Sequence, residues 1–207
     1  MAANIARKGF PLSVWNRSHE RAAALVTLGA KPKSTPRECV QGARVIVTML
    51  SDEKALFEVL LGDDGVLAGA DKDAVIVDMS TVGRAAALKA AQLAKDGGLR
   101  FVDAPVSGST GPAEKGELVA LVGGRLNDVT RAQPVILAMC KRIIHAGDVG
   151  QGQALKVSST GSAPTTWWRS PACSSLVSAP ASRAARSWRL SPPAPSRRRA
   201  TSAKEKK

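Results

Sequence analysis

The chain has no tyrosine and only three phenylalanines, and aromatic residues make up 3% of its 207 positions, so aliphatic side chains must fill its core. Three cysteines, Cys39, Cys140 and Cys173, are too few and too far apart for a disulfide framework or a CxxC metal site. Reduced thiols in an intracellular compartment are the expectation, cytoplasmic or, failing that, organellar. No apolar run approaches the roughly 18 residues that a membrane-spanning helix needs, and residues 1–8 lack the charged-then-apolar order of a signal peptide. Acidic residues are scarce too, 17 against 30 Lys and Arg, for a net charge of +13. The imbalance is local: residues 158–207 hold ten Lys and Arg against the single acid Glu205, which leaves the body only mildly basic at +4. A charge concentrated in one tail is a poor argument for a nucleic-acid-binding face on the body.

What the sequence does have is alternation. Residues 1–8 are Ala-rich, end in Arg7-Lys8 and are followed by Gly9, the pattern of a helix and its stop. Residues 11–15 alternate as a strand, with Asn16-Arg17 at its end and Ser18 placed to cap a helix over 19–28. Thr35 and Pro36 open a short helix that Gly42 stops. Residues 44–50 and 74–78 are near-continuous apolar runs, as in parallel strands covered on both faces. Between them Asp52 caps a helix through Leu61; helices over 83–95 and 126–139, strands over 101–103 and 117–122, and an edge strand over 141–145 follow. Such alternation with short connections predicts an α/β, Rossmann-like, doubly wound and mostly parallel sheet. Sites in such sheets lie at the carboxyl ends of the strands, which directs attention to Asn16-Arg17, Leu50-Ser51, Ser80-Thr81 and Ser107-Gly108.

The last of these belongs to the stretch 101–111, where a short strand stops at Ala104-Pro105 and opens into a loop with Ser107, Gly108 and Gly111. Glycine leaves the backbone free there, and the loop can offer N–H groups and a hydroxyl to a small anion. His145, alone at a strand end, reads as a structural or exposed residue rather than a catalytic acid.

After Val157 the composition changes: 34 of the 50 residues from Ser158 onward are Ser, Ala, Arg or Pro. No face of any element there can bury enough apolar surface to order the segment, so disorder is expected across 158–207. Trp167, Trp168 and Trp188 lie in it beside arginines, yet no ordered groove is evident to make them a platform for single-stranded nucleic acid.

Asn16-Arg17-Ser18, residues 48–52 (TMLSD), 78–82 (DMSTV), 103–108 (DAPVSG) and 147–156 (GDVGQGQALK) occur in an order and at spacings that resemble the β-hydroxyacid dehydrogenase family, most closely its glyoxylate/succinic semialdehyde reductases. The resemblance covers residues 1 to about 157. It implies a partial NAD(P)-binding Rossmann domain over 1–146, the start of an interdomain helix over 147–157, and reduction of a small aldehyde or keto acid to the hydroxyacid. By the same resemblance Lys156 is the catalytic lysine, Ser107 and Gly108 bind the substrate carboxylate, and Asn16, Arg17, Ser18, Met49, Leu50 and Thr81 contact the cofactor. An acidic residue after the first of these strands would suit a ribose 2′-hydroxyl, whereas Asn16-Arg17 suits a 2′-phosphate, so NADPH is expected, with NADH as the alternative. No metal and no membrane enter this reading, and intact relatives are expected to form homo-oligomers.

Three departures accompany the match. The family opens with a strand and a Gly-x-Gly-x-x-Gly turn before the helix that begins here at Met1; it places an Asn where this chain has Thr160; and an all-helical domain stands where this chain has its basic tail. An incomplete start and an out-of-frame or unspliced reading of a GC-rich coding sequence are the expected explanations. Three readings remain open: an NADPH-dependent reductase, a catalytically inactive fragment of one, or a binding protein that uses the basic tail.

Overall fold

The computed structural model of the chain describes residues 1–159 and 175–179. Thr160, the tail tryptophans and Cys173 lie outside the described residues. The first half alternates as expected through α1 (Ala2–Arg7), β1 (Ser13–Trp15), α2 (His19–Ala23), β2 (Lys31–Pro32), α3 (Pro36–Val40), β3 (Val45–Met49), α4 (Glu53–Leu61), α5 (Val66–Gly69) and β4 (Val75–Asp78). The second half continues with α6 (Arg84–Asp96), β5 (Arg100–Asp103), β6 (Val106–Ser107), α7 (Thr110–Lys115), β7 (Leu118–Gly123), α8 (Leu126–Met139), β8 (Cys140–Gly147), α9 (Gln151–Ser159) and β9 (Ser175–Ala179).

Local chemistry sets several of these boundaries. The Thr35 hydroxyl accepts the Glu38 N–H at 3.1 Å with Pro36 at the first helical position, and Asp52 Oδ1 accepts the Ala55 N–H at 2.8 Å. Ser18 differs from expectation. Its side chain caps nothing, and its N–H instead donates to Asn16 Oδ1 at 2.9 Å, so Asn16 shapes the turn into α2. That helix also ends early, at Ala23, and is followed by a tight turn over Val26–Leu28 that Gly29 closes at φ 82°.

The sheet runs β2-β1-β9-β3-β4-β5-β7-β6, with β8 paired to β7. Strands β1 and β2 are parallel, as are β3, β4 and β5, and as are β7 and β8. The alternation of β3 and β4 explains their unbroken hydrophobicity. Val45, Val47, Val75 and Val77 enter one core with Ile5 of α1 and Val129, Ala132 and Ile136 of α8, whereas Ile46 and Ile76 enter another with Leu56 of α4 and Ala87 and Ala90 of α6. Ile46 and Ile76 are fully buried, which stabilises the sheet by about 2 kcal/mol each.

Beyond α9 the described residues of the tail are 175–179. Residues 175–179 form β9, which lies antiparallel between β1 and β3 with Val177 opposite both Val14 and Val47. Without it the pair β1–β2 would not be hydrogen-bonded to the rest of the sheet. The sheet offers backbone donors and acceptors on both sides of that slot, which an extended segment can satisfy whatever its neighbours in sequence are.

Candidate functional site

Strands β1, β3, β4 and β5 bring their carboxyl ends to one edge of the sheet, and buried polar residues collect along it. The registers Thr48 opposite Asp78 and Asp78 opposite Asp103 set three such side chains in a row, all fully buried. Thr48 Oγ1 donates to Asp78 Oδ1 at 2.8 Å, and Ser80 donates to the same oxygen through its hydroxyl at 2.6 Å and its N–H at 3.2 Å. The Ser80 hydroxyl in turn accepts the Leu50 N–H at 2.9 Å, so the ends of β3 and β4 are tied together. Asp78 Oδ2 has no hydrogen-bond partner among the described residues. Burial pushes the Asp78 carboxyl up to about 6, against the opposing hydrogen bonds from Ser80 and Thr48, with Asp103 adding repulsion.

Asp103 does a different job. Its carboxylate accepts the Gly150 N–H at 2.6 Å and the Gln153 N–H at 2.8 Å, capping the start of α9 from a strand about 50 residues earlier in the chain. Burial raises its pKa and these N–H groups lower it, with the burial contribution the larger. The approach leaves no space: a Cβ on Gly123 or Gly152 would run into the Asp103 carboxylate, and one on Gly152 into the Leu121 carbonyl as well. Gln153, fully buried, donates through Nε2 to the Ser80 carbonyl at 2.8 Å and accepts the Gly83 N–H at 3.3 Å. Helix α9 is thereby fastened to both the β4 and the β5 ends, and it carries Lys156 one turn further on. Lys156 is 6% exposed, and burial lowers the pKa of its ammonium group.

A cleft of about 210 Å³ opens at the ends of β1 and β3, lined among others by Trp15, Arg17, Pro36, Leu50, Ala55 and Val59. Its walls are largely apolar, and its charged lining residues are the Arg17 guanidinium and the carboxylates of Glu58 and Asp64. Of the residues assigned to the cofactor by resemblance, Arg17 and Leu50 therefore share this cleft, while Asn16 is buried and outside its lining and Met49 packs against the core. Ser18 is exposed at the start of α2. Thr81 is exposed in the loop that Gln153 grips, which brings it into one assembly with Lys156. Ser107 and Gly108 are exposed on and after β6, which pairs with β7 beyond Asp103, and Gly108 adopts φ 133°.

Asp78, Asp103 and Gln153 lie inside the sequence motifs yet carried no role in the sequence reading. Their signal was present only as polar residues at the ends of apolar strands and at a helix start; the partners are too far away in sequence to be inferred. His145 Nε2 is 2.8 Å from the Gly124 carbonyl, a structural pairing. Among the described residues no group of acidic, histidine and cysteine side chains could hold a metal, and no helix is long and apolar enough to cross a membrane.

Residues 1–147 match the family described as the NAD binding domain of 6-phosphogluconate dehydrogenase. The chain is 38% identical over 157 residues to the 3-hydroxyisobutyrate dehydrogenase of Pseudomonas aeruginosa, an alignment covering 76% of this chain and 53% of that protein. It is 37% identical to the chloroplastic glyoxylate/succinic semialdehyde reductase 2 of Arabidopsis thaliana, over 76% of this chain and 44% of the relative. Among solved structures, 3-hydroxyisobutyrate dehydrogenase of Mycobacterium tuberculosis with L-serine superposes with a TM-score of 0.73 at 31% identity, over 76% of this chain and 53% of that one. The chain thus spans about half the length of the relatives it matches.

Proposed function

The chain belongs to the β-hydroxyacid dehydrogenase family, and on that premise we propose that it serves the NADPH-dependent reduction of a small aldehyde or keto acid of the glyoxylate or succinic semialdehyde type. The observation that carries the reading is Lys156, a nearly buried amine on a helix fastened to the carboxyl ends of β4 and β5.

The residues present fit two parts of a nicotinamide dinucleotide. The cleft beside Arg17 suits an adenosine with a 2′-phosphate, Trp15 and Leu50 facing the base and the exposed guanidinium pairing the phosphate, while the carboxylates of Glu58 and Asp64, also on the lining, favour the sugar hydroxyls over a second anion. The loop with Ser80 and Thr81 suits the nicotinamide end. When bound, the cofactor supplies the hydride. Reduction of a carbonyl places negative charge on its oxygen, and the Lys156 ammonium is suited to stabilise that charge and then give up a proton. Its depressed pKa brings the donor nearer to neutrality, which eases the transfer. Ser107 and Gly108 offer a hydroxyl and an N–H to the substrate carboxylate.

Calorimetric titration of the full-length chain tests the cofactor assignment. Arg17→Ala is expected to weaken NADPH binding about tenfold, near 1.4 kcal/mol, and to leave NADH within about twofold. Absorbance at 340 nm with glyoxylate or succinic semialdehyde tests the chemistry: Lys156→Met is expected to lower the rate about a hundredfold or more. NADPH consumption that is indifferent to Lys156 would defeat the mechanism.

A further inference from the structure

Gln153 is fully buried, lies three residues before Lys156 on α9, and reaches a loop more than 70 residues earlier in the chain. An amide removed from water needs both its donor and its acceptor satisfied. Both are: Nε2 gives to the Ser80 carbonyl at 2.8 Å, and Oε1 takes the Gly83 N–H at 3.3 Å. The side chain thus acts as a length of backbone, bracketing Thr81 and Val82 between its two contacts. Gly83 is the residue before α6 and holds φ at 85°, so the loop ends in a conformation that a substituted residue rarely adopts.

At neutral pH an amide satisfies this arrangement and a methionine or a carboxylate does not. A methionine would fill the space but leave the Ser80 carbonyl and the Gly83 N–H without Gln153, and a carboxylate would set like partial charges against the carbonyl. The other end of the helix start is fixed independently, because the Asp103 carboxylate holds the Gly150 and Gln153 N–H groups. A helix is stiff over one turn, so residues at i and i+3 move together. The position of the loop after β4 is transmitted to Lys156 through a single rigid turn.

We propose that Gln153 is a positioning residue that couples the Ser80–Gly83 loop to Lys156, holding the amine in register with whatever that loop contacts. This rests on the reading of Lys156 as proton donor. In physical terms, binding a ligand against Thr81 orders the loop, the loop orders the Gln153 amide, and the amide fixes the turn that carries the amine.

The test uses the full chain with Gln153→Met and Gln153→Glu, and Val157→Ser as a control at an exposed site on the same helix. Hydrogen exchange at Gly83, the pH midpoint of Lys156 from site-resolved amine labelling, and kcat against KM in the NADPH assay are the three readouts. Gln153→Met is expected to speed Gly83 exchange about tenfold, to move the Lys156 midpoint upward as water reaches it, and to lower kcat about tenfold with KM nearly unchanged. The control leaves all three where they are. Gln153→Glu sets a carboxylate against the Ser80 carbonyl and so loosens the loop at neutral pH, and it regains Gly83 protection factors as pH falls, because the protonated acid again donates to that carbonyl while still accepting the Gly83 N–H. This rescue keeps the test decisive if Gln153→Met does not fold. Faster Gly83 exchange with an unmoved Lys156 midpoint would overturn the coupling. A rate indifferent to Lys156→Met would defeat the proton-donor reading alone, since the exchange and labelling readouts need no turnover.

Discussion

A carboxyl group that is sealed from water and has one oxygen without a partner keeps its proton to a higher pH than a free one, and Asp78 does so to about 6, from an ordinary 3.8. The folded chain therefore binds more protons than the unfolded chain between those two values. The stability Asp78 contributes is fully present below about pH 3.8 and is lost as pH rises through 6. Asp78→Asn removes the titration while keeping an oxygen for Thr48 and Ser80, and is expected to reduce the fall in unfolding free energy between pH 4 and 7 by about 2 kcal/mol. Urea unfolding of both proteins across that range measures the difference. Identical pH slopes would show that Asp78 titrates no differently when folded.

Two contacts between elements decide how the edge of the sheet is built. Helix α9 meets β7 through facing glycines, and a methyl group at Gly152 has nowhere to go but into the Leu121 carbonyl and the Asp103 carboxylate. Gly152→Ala is expected to cost about 3 kcal/mol in chemical unfolding, more than the half to one that a glycine-to-alanine change in an open helix returns as stability. Strand β9 is the second. A residue opposite neighbours on both sides directs its N–H to one of them, so Val177→Pro deletes a hydrogen bond of the sheet wherever that N–H points. Faster exchange of β1 and β3 amides and a lower melting temperature are expected; exchange in β1 and β3 that matches the parent chain would mean that β9 does not hold the sheet.

For the whole molecule, β9 joins a two-strand unit to the larger one, and the segment that supplies it comes from the basic last quarter of the chain. A chain ending at residue 159 exposes two hydrogen-bonding edges in the middle of a sheet, which is a template for association. Light scattering is expected to show larger species for that chain, whereas a chain ending at residue 184 keeps the elution and melting temperature of the full-length protein. The two lengths behaving alike would remove β9 from the account. The proposed site lies on the other side of β3, where Thr48 and Asp78 tie the strand ends, Asp103 caps α9 and that helix carries Lys156.

Much of this was legible in the chain itself, because the determining interactions are short-range. Near-continuous apolar runs at 44–50 and 74–78 have the length and composition of strands buried on both faces, and Thr35, Pro36 and Asp52 announce helix starts through bonds to residues three or fewer positions away. The motifs around Arg17, Thr81, Ser107 and Lys156 carried the family likeness for the same reason. What the tertiary structure decided depends on contacts across long separations: Asp103 with Gly150, Gln153 with Ser80, and β9 with β1 and β3. No local preference encodes those partners. Nothing in the composition of 158–207 marks residues 175–179 as a strand; their pairing rests on the backbone hydrogen bonds the sheet supplies on both sides.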